Sequence, residues 1–564
     1  MSASIQPPVT RVLTTMLMVV VFLLEVVVPS MASAAPSTWT GSGGSGLWGT
    51  SSNWGSTPRP TTSGTYQLVF GGSTQLSGTN DVGNVTVDAI DFRNTATSLF
   101  ILASPAGNPL TLASATITTS ATTGSLNATG DTISMPVILS GSSIFRIGAG
   151  HAITVSGTVS GTGSLSLTAT SGSTSSTRVN LTGPNSYSGG TYVFGGILTN
   201  GSSTGTSFSN TGFGTGDVTV SGSGSLFVRN GSTIANNLTL SGNGFSQSGV
   251  EQGALRGSFG SGTSTATISG TVTLAGHAQI ATASTVTGDA GSQLVLANTV
   301  NLGSSTLTLK PGQNASAASG LPIVISGSVG GAGGIVVSGS QAATVRMSGA
   351  NSYSGGTTIS SGTLALSGAG SIGTGGLNLG TTASPGVFDL AALTAGTYSL
   401  PSTASLAGVG TLAGSGKSLA VFGSFLPGNS PGTVTVSSGF ALDLTNSGSS
   451  VFEITDPTFT AGTYDLVSGS GSVAFGGILN LAFSGGSYAD GTDVLQLFAN
   501  TGGWSGNFTA VHATGLAAGQ SATFNPATGF ITVVPEPSAV VMGLTGLACG
   551  CSLCWRRRGF VARK

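Results

Sequence analysis

Charge is what this chain has least of. Of its 564 residues, 5% are Asp, Glu, Lys or Arg, against about 25% in an ordinary soluble domain. The 15 Lys+Arg nearly balance the 16 Asp+Glu, for a net charge of −1, so no basic field exists to hold nucleic acid. Disordered chains combine high charge with few apolar residues; this one is 39% apolar. Cysteine is as scarce: Cys549, Cys551 and Cys554 all lie close to the C-terminus, so no disulfide can staple the body. Strong helix formers give way to Ser, Thr, Val and 93 glycines, all mediocre or poor in helices. The glycines do not recur at every third position, as collagen requires. What remains is an all-β protein whose surface is polar through hydroxyls and amides.

The pattern within the body agrees. Asp217-Val-Thr-Val-Ser-Gly222, Asn237-Leu-Thr-Leu-Ser-Gly242 and Ser305-Thr-Leu-Thr-Leu309 alternate apolar residues with Ser or Thr. That period of two buries one face of a strand and shows hydroxyls on the other. Gly follows where the chain must turn within a residue or two. Between residues 35 and 534, 9 Lys/Arg face 14 Asp/Glu, so this stretch is mildly acidic.

The two ends differ from the body. Arg11 precedes an apolar run, Val12 to Leu24, and then Ala32-Ser-Ala34. These are the parts of an export signal, with Ala32 and Ala34 marking cleavage after residue 34. At the other end Val534-Pro535-Glu536-Pro537 leads into an apolar segment, Ala539 to Trp555, and then Arg556-Arg557-Arg558. The segment is at the short end for a membrane helix, and the arginines read as a stop-transfer signal on the cytoplasmic side. The cysteines inside it lack the paired spacing of a zinc site. They read as small residues of an apolar span. Pro-Glu-Pro, a short span and a terminal Arg cluster, in that order, resemble the PEP-CTERM sorting signal. That resemblance implies a transient inner-membrane anchor, cut near Pro535–Pro537 by the membrane enzyme exosortase, and release to the cell surface or extracellular matrix.

Internal similarity is the best guide to the fold. Val179-Asn-Leu-Thr-Gly-Pro-Asn-Ser-Tyr-Ser-Gly-Gly-Thr-Tyr-Val193 aligns with Val345-Arg-Met-Ser-Gly-Ala-Asn-Ser-Tyr-Ser-Gly-Gly-Thr-Thr-Ile359, and each copy ends in Gly-x-Leu, at 196–198 and 362–364. The block resembles the autotransporter-associated β-strand repeat. Gly253-Ala-Leu-Arg-Gly257 is similar to a rung between such repeats. The resemblance implies a right-handed parallel β-helix, with windings of about 22 residues. Tyr187 and Tyr353 are expected at equivalent positions, packed at a turn, with Asn and Ser bonding between windings.

These readings divide the chain into a signal peptide (1–34), a Trp-rich N-terminal cap (35–74) and a β-solenoid (75–420, clearest repeats 179–198 and 345–364). A C-terminal β region (421–533) follows, with final windings and an antiparallel cap, and then the sorting signal (534–564) with its transmembrane segment 539–555. Helix is expected only in the signal and transmembrane segments. Trp39, Trp48 and Trp54 fit a cap that hides the end of a solenoid; exposed, they would suit sugar binding.

Nothing assembles a reaction centre. The nearest acidic pairs, Asp88/Asp91, Glu453/Asp456 and Asp490/Asp493, are three apart, and such pairs on a strand face opposite ways. His151, His277 and His512 stand alone. The expectation is an exported structural scaffold or adhesin, with no catalytic residue, metal or cofactor. Its partners would be signal peptidase, exosortase and an extracellular polysaccharide. The alternative is a secreted carbohydrate-active β-helix enzyme, which needs two carboxylates within about 10 Å on one face. A complete autotransporter would add a membrane barrel of about 10-residue alternating strands.

Overall fold

The structure is a computed structural model. It describes residues 35–536 except 94–98, 120–129, 171–176, 202–207, 260–263, 285–290, 314–320, 340–342, 429–430 and 492–493. The expected signal helix (1–34) and the transmembrane helix (539–555) lie outside the described residues. Among the described residues no helix is long and apolar enough to cross a membrane.

The alternation seen in the sequence becomes short strands joined side by side in parallel. Forty described strands share one hydrogen-bonded network, and five more form a second sheet. Pairing runs from each strand to its counterpart one winding later. Ala266 pairs with Leu294, Leu294 with Ile323, Ile323 with Val345, Val345 with Leu364, Leu364 with Phe388, Phe388 with Leu412 and Leu412 with Val436. All of these side chains are fully buried. They form a column through the interior, with one residue per winding at the ~4.8 Å strand spacing. On a separate ladder of strands, outward positions carry a polar column, Thr219, Thr239, Thr273 and Asn301, in register. This is the winding of a parallel β-helix, and its interior is largely aliphatic.

The windings are less uniform than a fixed repeat would make them. Val137 pairs with Val159, and Val218 with Leu238, across short windings. Leu238 pairs with Val272 across a much longer one. The long winding carries an antiparallel excursion, Ser246–Gln247 against Val250–Glu251. Register tolerates such excursions because the flanking strands still meet rung to rung.

Both ends are closed by aromatic rings. At the N-terminal end Trp39, Trp48 and Trp54 are fully buried. The Trp54 ring meets Trp39 and Trp48 nearly edge-on, with centroids 5.1 and 5.9 Å away. Phe70 continues the stack onto Phe92. Burial excludes these indoles as a sugar platform. Parallel windings continue past residue 420 to the strand Ala510–Thr514, which pairs with Ile478–Phe483. Beyond them an antiparallel sheet, with Phe530–Pro535 between Val494–Gln496 and Gln520–Asn525, lies across the end. Phe475, Phe498, Phe508 and Phe524 cluster beneath it.

Truncating one interior rung should therefore be severe and truncating an outer one mild. Leu364→Ala removes a buried side chain and should lower stability by about 2–5 kcal/mol. Thr239→Ala, on the polar column, should cost under about 1 kcal/mol. Denaturant midpoints of the two variants check the difference.

Candidate functional site

The two repeated blocks fold into the same corner, and their polar residues explain the shared sequence. Asn185 Oδ1 accepts from the Val159 N–H at 2.8 Å, on the winding before, while its Nδ2 donates to the Gly212 carbonyl at 2.7 Å, on the winding after. Asn351 does the same, accepting from Val329 N–H at 2.7 Å and donating to the Ser371 carbonyl at 2.5 Å. One amide thus stitches three windings. It satisfies backbone groups that the turn leaves without a ladder partner.

The tyrosines are equivalent, as expected from the sequence. Tyr187 and Tyr353 are fully buried, and each hydroxyl lies 2.7 Å from the hydroxyl of the Thr four residues on, Thr191 and Thr357. Thr191 donates its proton to the Phe213 carbonyl at 3.0 Å, so Tyr187 is the donor in that pair. Burial raises both phenols, Tyr353 to about 12, so each stays protonated at neutral pH. Glycine of the next winding lies against each ring. A Cβ on Gly373 would sit 2.5 Å from Tyr353 Cδ2, and one on Gly214 2.9 Å from Tyr187 Cδ2. Only hydrogen fits there.

The acidic residues are mostly committed to structure. Asp91 bonds Arg93 at 2.6 Å and Thr118. Asp490 accepts from Gln520, and Asp493 lies outside the described residues. Asp456 caps the Thr458 N–H. The sequence pairs Glu453 with Asp456, but the fold brings Glu453 to Asp465. Asp465, 2% exposed, accepts from the Glu453 and Gly432 N–H groups, each at 2.8 Å. Burial pushes its carboxyl up to about 7, opposed by these two bonds and reinforced by the Glu453 charge. Separation along the chain hid this pair, because the strand Ser449–Ile454 runs into a turn that folds back on it.

The histidines remain apart. His151 is buried, which lowers its pKa; His277 Nδ1 accepts from the Thr306 N–H; His512 is on the outer strand Ala510–Thr514. Among the described residues no three His, Cys, Asp or Glu cluster as metal ligands. An open groove of about 390 Å³ runs past Ser418, Asp443, Ser472, Trp504 and Ser505. Its carboxylate, Asp443, is bonded to the Thr445 N–H and hydroxyl.

Of the processing residues expected from the sequence, Pro535 and Glu536 are described. Both are exposed, at the end of the strand Phe530–Pro535, where the Glu536 N–H donates to Gly519 at 2.7 Å. Ala32, Ala34, Pro537 and Arg556–Arg558 lie outside the described residues.

A family model, the passenger-associated-transport-repeat, matches residues 176–199 and 340–366. The matched segments contain the two Asn–Tyr–Thr corners. Repeats of this kind imply export, to the cell surface or beyond it, in the manner of an autotransporter passenger. No match is found among curated proteins.

Two outcomes follow from this geometry. Asn185→Ala leaves the Val159 N–H and the Gly212 carbonyl without their partner and should cost about 1–3 kcal/mol; Tyr187→Phe, which removes one hydroxyl, should cost about 1 kcal/mol. Thermal melts of both variants test the order. For Asp465 the folded pKa lies above the unfolded one. Its contribution is therefore full below about pH 4 and lost as pH rises through about 7, by an amount on the order of 4 kcal/mol. Asp465→Asn should flatten the decline in stability between about pH 4 and 7; an unchanged slope would assign that decline to other groups.

Proposed function

We propose that this is an exported, non-catalytic scaffold or adhesin of the cell surface or extracellular matrix. It is a right-handed parallel β-helix, held briefly in the inner membrane and released by exosortase at a PEP-CTERM signal. The observation that carries this reading is the use made of its polar groups. Asn185 and Asn351 join one winding to the next, the two tyrosines are buried at their corners, and most of the acidic side chains are hydrogen-bonded within the fold, leaving an outer surface rich in hydroxyls. Such a surface suits contact with a polysaccharide matrix, where many weak hydroxyl and amide contacts act in parallel.

The processing steps follow from the ends of the sequence. Signal peptidase would cut after Ala34, close to the first interior strand, Ser37–Trp39. Exosortase would act near Pro535-Glu536-Pro537. A cut there would fall at the exposed edge of the terminal sheet, at Pro535 and Glu536, and its buried Ile531 and Val533 would stay in place. The apolar segment 539–555 and Arg556–Arg558 would remain in the membrane.

The competing reading is a carbohydrate-active enzyme. Glu453 and Asp465 are its best carboxylate pair, but both Asp465 oxygens accept backbone bonds, which suits a turn clasp better than acid–base work on a substrate.

Mass spectrometry of secreted protein decides the sorting step. The expected termini are Ala35 and a residue near Pro535. Intact Arg556–Arg558 on protein outside the cell would sink the proposal.

A further inference from the structure

Charge is so rare in this chain that three neighbouring arginines stand out. Arg178, Arg229 and Arg256 come from three different windings. In register, Arg178 meets Ile197, Thr199 meets Phe227, Phe227 meets Arg256, and Arg229 meets Ser258. They border a small outer apolar cluster, Ile197, Phe227 and Phe245, separate from the main interior. The excursion that lengthens the winding between Leu238 and Val272 supplies Phe245 and covers this cluster.

Arg256 is 4% exposed. Its guanidinium lies 4.7 Å from the centre of the Phe227 ring and donates to Gln252 Oε1. Arg229, half-buried, donates Nη1–H to Ser258 Oγ at 3.3 Å. The buried Nε of each has no acceptor, and among the described residues neither has a carboxylate within ion-pair distance. Burial and the neighbouring guanidiniums push both down to about 10, so they remain cations at neutral pH. The charges that act on Arg256 are those of Arg229 and Arg178.

This is an unfavourable arrangement. Each guanidinium has five N–H donors in a fixed fork. Like charges gathered in a partly dry place repel, and buried donors without acceptors forfeit their hydration. A structural role alone would be met better by a neutral side chain, or by pairing with one of the acidic residues. An oxyanion held at the half-exposed Arg229 would offset the repulsion among these cations through charge-assisted bonds. Beside the cluster, Phe208 is 38% exposed. Its ring is the nearest group that a Cβ on Gly231 would meet, at 3.0 Å, two residues beyond Arg229. An aromatic face next to an anion site suits a sugar ring that carries an acidic group.

We infer that Arg229 and Arg256, supported by Arg178, form a binding site for the oxyanion of an acidic polysaccharide, a uronate carboxylate or a sulfate ester. This rests on the reading of the protein as a matrix component and deepens it by naming the class of glycan it holds.

Thermal melts and calorimetry of the purified protein test it, with an oligogalacturonate, a sulfated oligosaccharide and a neutral oligosaccharide of equal length as probes at matched ionic strength. One or both acidic probes should raise the melting temperature and the neutral one should not; which acidic probe binds tells carboxylate from sulfate. Arg229→Gln, at a half-exposed position, should keep the circular dichroism of the parent and weaken binding about tenfold or more. Arg256→Gln should weaken it further, and if that variant does not fold, Arg229→Gln decides. Equal response to acidic and neutral probes, full binding by Arg229→Gln, or inorganic sulfate binding as tightly as the glycans would overturn the assignment. None of these results bears on the sorting reaction, which is read from the termini of the secreted protein.

Discussion

The parallel backbone ladder sets the terms for everything else in this molecule. Each winding commits its N–H and C=O groups to the windings before and after it, and in doing so brings like side chains into register. The column from Ala266 to Val436 follows from that register. No disulfide is available to it, and few ion pairs could be formed from so few charges. Stability must accumulate rung by rung, from aliphatic burial and satisfied amides. A stack of this kind has two open ends, each exposing an apolar cross-section and unpaired strand edges. Those are the places where the large aromatics are concentrated, tryptophans at one end and phenylalanines at the other.

The corners solve a second problem. A chain that turns every few residues exposes backbone groups that no strand partner satisfies. In the two matched repeats one asparagine takes up two of them, on opposite sides of its own winding, and a tyrosine–threonine pair fills the space beneath. The near-identical sequence is thus what one geometry requires: an amide that reaches both ways, a phenol with a hydroxyl one helical-turn's count further along, and glycines where the next winding crosses at contact distance. The pattern demands positions within the turn and says nothing about ligands, so the likeness between the copies reports architecture.

Much of this was legible in the sequence, and what was not has a physical reason. Alternation of aliphatic and hydroxyl residues announced strands with one buried face, and the aligned Asn-Ser-Tyr-Ser-Gly-Gly-Thr blocks announced that Tyr187 and Tyr353 hold equivalent places. Three of the five tryptophans lie together in residues 35–74, which marks a cap. The phenylalanine cluster at the far end is not legible in the sequence: Phe475, Phe498, Phe508 and Phe524 are spread over several windings and a terminal strand, with no local spacing to connect them. Asp465 and Glu453 are hidden for a similar reason, since a turn of unpredictable length returns one to the other. The arginines are the clearest case. Register places Arg256 beside Phe227 of the winding before. Windings run from the short one between Val218 and Leu238 to the long one between Leu238 and Val272, and no fixed period would find that partner.

That variation in length also suggests how such a rod acquires specificity. Stability in a solenoid is a sum over neighbouring windings, so an excursion from one winding disturbs its own rung and little beyond. The corners of Asn185 and Asn351 tie neighbouring windings together. Between them the chain can carry the hairpin of Ser246–Gln247 and Val250–Glu251 with little disturbance to the stack. That excursion covers the outer apolar cluster and takes Arg256 out of water, while the ladder beneath is continuous from Phe227 through Arg256 to Ala281. A regular interior thus permits an irregular exterior. The features able to recognise a partner belong where the windings depart from their repeat, and the closely repeated corners belong to the scaffold.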